Sequence, residues 1–106
     1  MTNLELVAAE LAAAKQKHPH FVDRLLWPDS WPLHTEEELE TERARLKSRI
    51  VHGTCSFRSV LRCEVAEFVD AYAHGDLAHA RQELAQCAAV CIRAMEHIEK
   101  EMEEKK

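Results

Sequence analysis

The fold is decided by residues 56–104, which read SFRSVLRCEVAEFVDAYAHGDLAHARQELAQCAAVCIRAMEHIEKEMEE. Apolar side chains recur along this stretch at alternating steps of three and four residues, which is the spacing of one face of an α-helix. Gly75 and Asp76 interrupt the pattern, because glycine suits the left-handed turn after a helix and aspartate suits a helix N-cap. Ser56 is the predicted N-cap of the first helix. We therefore predict two helices that form an antiparallel hairpin.

The rest of the chain favours further helices over strands. The 106 residues include two glycines and three prolines, too few for the turns that a β-sandwich or barrel needs about every 8 to 12 residues. Residues 3–17 have helical apolar spacing, and Thr35 with Glu38 has the pattern of a capping box that opens another helix. That helix has a thin apolar face and is expected at the periphery. We predict one all-α domain over residues 1–106, with residues 56–104 as its core.

Residues 18–34, HPHFVDRLLWPDSWPLH, contain all three prolines and both tryptophans. This composition predicts an ordered loop that its aromatic side chains anchor, with Trp27 and Trp31 packed on the helices. Stacking of a purine base on either indole is the alternative, since aromatic faces suit it.

Charge and hydropathy exclude two classes of partner. Fourteen basic and nineteen acidic residues give a net charge of −5, and the basic residues are dispersed among acids, which argues against binding of duplex nucleic acid. No apolar run approaches the roughly 18 to 20 residues of a membrane span, and the N-terminal apolar segment contains acids, unlike a secretory signal. We expect a cytoplasmic protein. Its cysteines should then be free thiols: Cys55, Cys63, Cys87 and Cys91.

Carboxylates fall at unusual places in the hairpin. On a helical wheel Glu64 lies inside the apolar stripe of the first hairpin helix, Glu67 lies at the edge of that stripe, and Glu83 borders the apolar seam of the second helix. Because these positions lie at matched distances from the turn, the three carboxylates can converge, and Mg²⁺ prefers such oxygen ligands. The alternative is that Glu64 pairs with Arg81 or Arg93, and that the other two glutamates are ordinary surface acids.

Residues 52–98 read HGTCSFRSVLRCEVAEFVDAYAHGDLAHARQELAQCAAVCIRAMEHI. This stretch resembles the small all-α MazG-like nucleoside triphosphate pyrophosphohydrolases, especially the short phage and bacterial forms. Members carry an E-E-x-x-E cluster on one helix and E-x-x-D on the next. Glu64 and Glu67 match the last two acids of the first cluster, and Glu83 matches the first acid of the second. Cys63 stands at the first glutamate position, and Gln86 stands at the aspartate position.

The resemblance implies a metal-dependent hydrolase that converts a ribo- or deoxyribonucleoside triphosphate and water to the monophosphate and pyrophosphate. It implies Mg²⁺ or Mn²⁺ as cofactor, held by the carboxylates of Glu64, Glu67 and Glu83 and the amide oxygen of Gln86. A thiol is a poor ligand for Mg²⁺, so Cys63 leaves three carboxylates where the family has four or five. The apolar seam of the second helix is longer than one hairpin covers, and we expect a homodimer or homotetramer in which hairpins form a four-helix bundle.

Two alternative functions are compatible with the same sequence. In one, the metal site is eroded at Cys63, and the fold acts as a nucleotide- or protein-binding module without catalysis. In the other, Cys87 and Cys91, one helical turn apart, bind zinc with Cys63 or His79. No second paired motif of a zinc ribbon or finger accompanies them.

Overall fold

A computed structural model describes residues 1–26 and 35–106, and within these residues the chain is helical and contains no strand. The helices of the described part are α1 (Asn3–Lys17), α2 (Thr35–Val51), α3 (Phe57–Ala73) and α4 (Leu77–Glu104). The all-α prediction is therefore confirmed. Trp27 and Trp31 lie outside the described residues. None of the described helices is long and apolar enough to cross a membrane.

Helix α1 begins at a complete capping box. The Thr2 hydroxyl accepts a hydrogen bond from the Glu5 backbone N–H, and the Glu5 carboxylate accepts one from the Thr2 backbone N–H. These bonds favour the ionised acid, so the pKa of Glu5 lies below its ordinary value. The helix ends at the residue before His18, which precedes a proline. The predicted bounds of 3–17 are confirmed.

Helix α2 differs from its prediction at its start. Thr35 is the first helical residue, so it is not the N-cap that a capping box with Glu38 requires. The helix also packs along α3, with Leu39 buried and Leu46 half-buried between them. A thin apolar stripe is sufficient for this contact, and most α2 residues are exposed, as expected for a peripheral helix.

The turn between α3 and α4 has the predicted chemistry. Gly75 has a φ of +76°, the left-handed conformation that glycine adopts without strain. The Asp76 carboxylate accepts a hydrogen bond of 3.1 Å from the His79 backbone N–H and so caps α4. At the start of α3 the Ser56 hydroxyl accepts from the Ser59 N–H, as a predicted N-cap should.

The two helices meet through a small core next to this turn. Phe68 and Ala71 of α3 pack with Ala80 of α4, and Val69 and Tyr72 pack against them. Ala71 and Ala80 are each 3% exposed, so small side chains form the centre of this contact. The predicted antiparallel hairpin is confirmed, and its close contact fixes which α3 and α4 side chains face each other.

Two compact units divide the chain. One combines residues 1–25 and 92–106, where the Asn3 amide donates to the Glu99 carboxylate. The other comprises residues 26–91. It contains α2, α3, the first half of α4 and the candidate site described next. The prediction of a single domain over residues 1–106 stays a prediction.

Candidate carboxylate site on the helical hairpin

Three carboxylates of the hairpin lie together. One carboxylate oxygen each of Glu64, Glu67 and Glu83 lies within 4.8 Å of the others. The spacing of the sequence predicts this convergence, but it places Glu64 deepest, whereas the structure buries Glu83 most, at 5% exposed. Glu83 lies one turn after Ala80, at the close contact of α3 and α4, and this contact explains its burial.

Glu83 is held by a histidine of its own helix. His79 Nε2 lies 2.9 Å from the Glu83 carboxylate, whose side chain is 6% exposed. His97 and Glu101 form a pair of the same spacing on α4 at 3.0 Å, but that carboxylate is 52% exposed. Water competes with the second pair far more than with the first, so the bond from His79 does more to fix a carboxylate in place.

Gln86 bridges two of the carboxylates. With its amide nitrogen turned toward them, it donates to Glu64 Oε2 at 2.9 Å and to Glu83 Oε2 at 3.1 Å. The resemblance predicts the amide oxygen of Gln86 as a metal ligand, and that role requires the amide to turn over. With the amide nitrogen facing the carboxylates, Gln86 donates hydrogen bonds to both glutamates and so partly compensates their negative charge.

Glu67 pairs with an arginine that the sequence analysis missed. Arg43 Nε of α2 lies 3.4 Å from Glu67 Oε1. Arg43 follows the buried Leu39 by four residues, so it lies on the face of α2 that meets α3, and this spacing was the available signal. The predicted partners of Glu64, Arg81 and Arg93, form no ion pair with any residue in the described part of the chain.

The environment of Glu64 changes its acidity. Burial raises the pKa of its carboxyl above the ordinary value, and the charges of Glu67 and Glu83 raise it further. No cation of the described residues neutralises it. Without a bound cation, Glu64 therefore takes up a proton more readily than an ordinary glutamate does.

Two cysteines border the carboxylates as neutral thiols. Cys63 is 5% exposed, and its burial, with the neighbouring charges of Glu67 and Glu64, raises the pKa of its thiol. Burial and the charge of Glu64 likewise raise the pKa of Cys87. Zinc ligation needs thiolates, so both environments disfavour it. Within residues 1–26 and 35–106, the side chains with metal-ligand spacing are the three glutamates, without cysteine or histidine.

The donor set suits a hard divalent cation. It consists of carboxylate oxygens, which Mg²⁺ and Mn²⁺ prefer, and a neutral amide at its border. Three like charges converge there, and in the described residues their basic partners are Arg43 on Glu67 and His79 on Glu83. The charges of Glu67 and Glu83 raise the pKa of Glu64, and a bound cation would offset this repulsion.

The fold and the site define a class: a helical protein whose two-helix hairpin carries a partly buried cluster of three carboxylates. No model of a protein family matches the chain, and neither a curated protein nor a solved structure matches it. The proposed function therefore depends on the chemistry of the cluster and on the resemblance of residues 52–98.

Proposed function

We propose that the chain is a cytoplasmic, metal-dependent nucleoside triphosphate pyrophosphohydrolase of the MazG-like kind. The proposed reaction is attack of water on the α-phosphorus of a ribo- or deoxyribonucleoside triphosphate, which releases pyrophosphate and leaves the monophosphate. The observation that carries the proposal is the convergence of Glu64, Glu67 and Glu83 from two adjacent helices. These are the acids that match the two clusters of the family.

The surrounding residues support this role by orienting the carboxylates. His79 and Gln86 fix Glu83, and Arg43 fixes Glu67, so two of the three carboxylates are positioned before any ligand arrives. Such preorganisation favours binding because less side-chain freedom is lost. Glu64 holds its proton more readily than usual and gives it up when a cation binds, so cation binding should weaken as the pH falls.

Mg²⁺ or Mn²⁺ fits this donor set, and Glu64, Glu67 and Glu83 would hold it, with Gln86 after its amide turns. When bound, such a cation neutralises phosphate charge and lowers the pKa of the attacking water. The protein contributes the placement of the carboxylates on a rigid hairpin.

A nucleotide assay tests the proposed reaction. Wild-type protein is incubated with a panel of ribo- and deoxyribonucleoside triphosphates and Mg²⁺ or Mn²⁺, and pyrophosphate and monophosphate are measured. We expect both products in equal amounts with at least one substrate, and a loss of about a hundredfold or more in Glu64→Gln, since a missing charge-stabilising group typically costs that much. Glu40→Gln removes an exposed α2 carboxylate and should retain the rate. Release of orthophosphate instead of pyrophosphate would contradict the proposed bond cleavage.

A non-catalytic binding module is the second candidate, and Cys63 favours it. This thiol stands where the family has a carboxylate, and it is buried and neutral. Three carboxylates could then retain a nucleotide and its cation without turnover. Binding of a nucleoside triphosphate with no product from any member of the panel would select this candidate.

We also propose that the protein is a homodimer or homotetramer. Val65 of α3 and Leu84 of α4 are each 45% exposed, and no described residue of α1 is buried. A single hairpin leaves these apolar side chains in water, whereas two hairpins could cover them in a four-helix bundle. Sedimentation equilibrium should give at least twice the chain mass of 12.2 kDa at micromolar concentration, and Leu84→Lys should lower that value. A wild-type mass of one chain would exclude the assembly.

A further inference from the structure

A second charged feature lies where α2 ends and α3 begins. A groove of about 580 Å³ opens there, and guanidinium groups from both helices line it. Its lining residues are Glu42, Arg45, Arg49, Ser56, Arg58, Ser59 and Arg62. Four arginines therefore converge in a protein whose net charge is −5.

Most of this positive charge has no partner. Arg45 pairs with Glu42 at 3.0 Å. Arg49, Arg58 and Arg62 form no ion pair with any residue that the structure describes. Because like charges repel, an anion that enters the groove would relieve the repulsion among these guanidinium groups. Unpaired arginines brought together by two helices thus indicate a binding site for a negative ligand.

The groove is separate from the carboxylate cluster. At about 100° per residue, Arg62 and Arg58 lie roughly 160° and 120° around α3 from Glu64. Arg43, which holds Glu67, does not line the groove. Anion binding in the groove is therefore independent of whether the carboxylates bind a cation or support hydrolysis.

Neutral donors add to the arginines. Ser56 caps α3, so the first turn of that helix points its free backbone N–H groups and the positive end of its dipole toward this end of the groove. The Ser59 hydroxyl lies beside them, 3.2 Å from the Ser56 hydroxyl. Phosphate oxygens accept hydrogen bonds from all three kinds of donor: guanidinium, hydroxyl and helix N–H.

We propose that this groove binds a short phosphate chain, such as the di- or triphosphate group of a nucleotide or an inorganic oligophosphate. Four guanidiniums and one carboxylate leave an excess of about three positive charges, which matches several phosphoryl groups better than one. The planar fork of arginine binds phosphate oxygens in pairs, and this geometry distinguishes the ligand from a simple halide. The groove is also larger than a single phosphate requires.

Titration calorimetry of the full chain in metal-free buffer tests the proposal, with sodium tripolyphosphate as the probe. The wild type should bind it, and the double variant Arg58→Gln/Arg62→Gln should bind it at least about tenfold more weakly, because charge-assisted hydrogen bonds to phosphate are among the strongest. The matched control is Arg81→Gln/Arg93→Gln, which removes two exposed α4 arginines and the same charge. The control should bind as the wild type does, and so should Glu40→Gln, which removes an exposed carboxylate outside the groove.

Two further probes identify the source of the phosphate chain. Equal affinity for tripolyphosphate and adenosine triphosphate would show that the groove recognises the phosphate chain alone. Tighter binding of adenosine triphosphate would show that it recognises nucleotides. Equal losses in the two double variants would overturn the proposal, since total charge and not the groove would then govern binding. Absence of wild-type binding, or tighter binding of a single-stranded oligonucleotide than of tripolyphosphate, would overturn it as well.

Discussion

Exchange of Glu83 for glutamine should abolish the response of the protein to divalent cations while leaving the metal-free fold at least as stable. Glu83 is the most buried of the three carboxylates and is held by His79 and Gln86. Removal of its charge takes away one ligand, and we expect the affinity for Mn²⁺ to fall by about a hundredfold or more. Loss of groups that merely support ligands already costs about 10- to 100-fold. Mg²⁺ should then raise the melting temperature of the wild type but not that of Glu83→Gln.

The metal-free stability depends on two opposing effects. The three carboxylates have oxygens within 4.8 Å of one another, and at an effective dielectric constant of about 20 such ionised pairs repel by on the order of 3 kcal/mol. Protonation of Glu64 lowers this repulsion. Weakening of the two hydrogen bonds to Glu83 costs about 1 kcal/mol each. We expect relief of repulsion to prevail by about 1 kcal/mol, which raises the melting temperature by about 4–8 °C in a domain of this size.

The pH dependence gives an independent measurement on the same variant. The pKa of Glu64 is raised in the fold, so its contribution to stability is full below its ordinary value of 4.5 and is lost as the pH rises through the raised value. Without the charge of Glu83 the pKa of Glu64 should lie closer to 4.5, and this loss should become smaller. Urea denaturation from pH 4 to 7 in metal-free buffer measures this loss of stability with rising pH, and Glu40→Gln is the control. A retained cation response in Glu83→Gln would remove Glu83 from the site.

Exchange of Cys63 for glutamate should have opposite effects on metal-free stability and on metal affinity. The Cys63 thiol is buried beside Glu64 and Glu67, so a fourth carboxylate there should destabilise the metal-free protein by several kcal/mol. Arg43 lies near enough to offset part of this cost. The new ligand should raise the affinity for Mg²⁺ about tenfold or more, since 1.4 kcal/mol gives that factor, and any pyrophosphohydrolase rate should rise with it.

Cys63→Gln separates charge from size in this experiment. It introduces nearly the same volume without a charge, so it should lose some stability through overpacking but gain no affinity for Mg²⁺. Calorimetric titration and thermal melts with and without Mg²⁺ compare the two variants with the wild type. Destabilisation of Cys63→Glu without any gain in metal affinity would contradict the interpretation of the site as one that lacks a carboxylate, and would favour the non-catalytic candidate.

The hairpin and its carboxylates follow from local sequence features. Apolar spacing of three and four residues determines which faces of α3 and α4 meet, and Gly75 with Asp76 determines where the chain turns. Once the turn is known, simple counting brings Glu67 level with Glu83, and Glu64 level with Gln86. Both predictions depend on residues close together in the chain, where helix geometry is sufficient.

The contacts of α2 could not be predicted in the same way. Arg43 reaches Glu67 from a helix whose packing depends on tertiary contacts, and the charges that cover α2 hide its short apolar stripe. Glu83 is buried more deeply than Glu64 because it lies beside the cluster that Ala71 and Ala80 form across the two helices, and a helical wheel of one helix does not contain such a contact. The arginine groove likewise combines the end of one helix with the start of the next.

The turn at Gly75 also bears on how the chain reaches its native state. All three carboxylates and Gln86 lie on the two helices that this turn joins, so a short segment of the chain contains the whole cluster. Closing such a short loop costs little chain entropy, and contacts close in sequence form early in folding. We expect the three carboxylates to come together when the hairpin forms, and Arg43 to join them when α2 packs along α3.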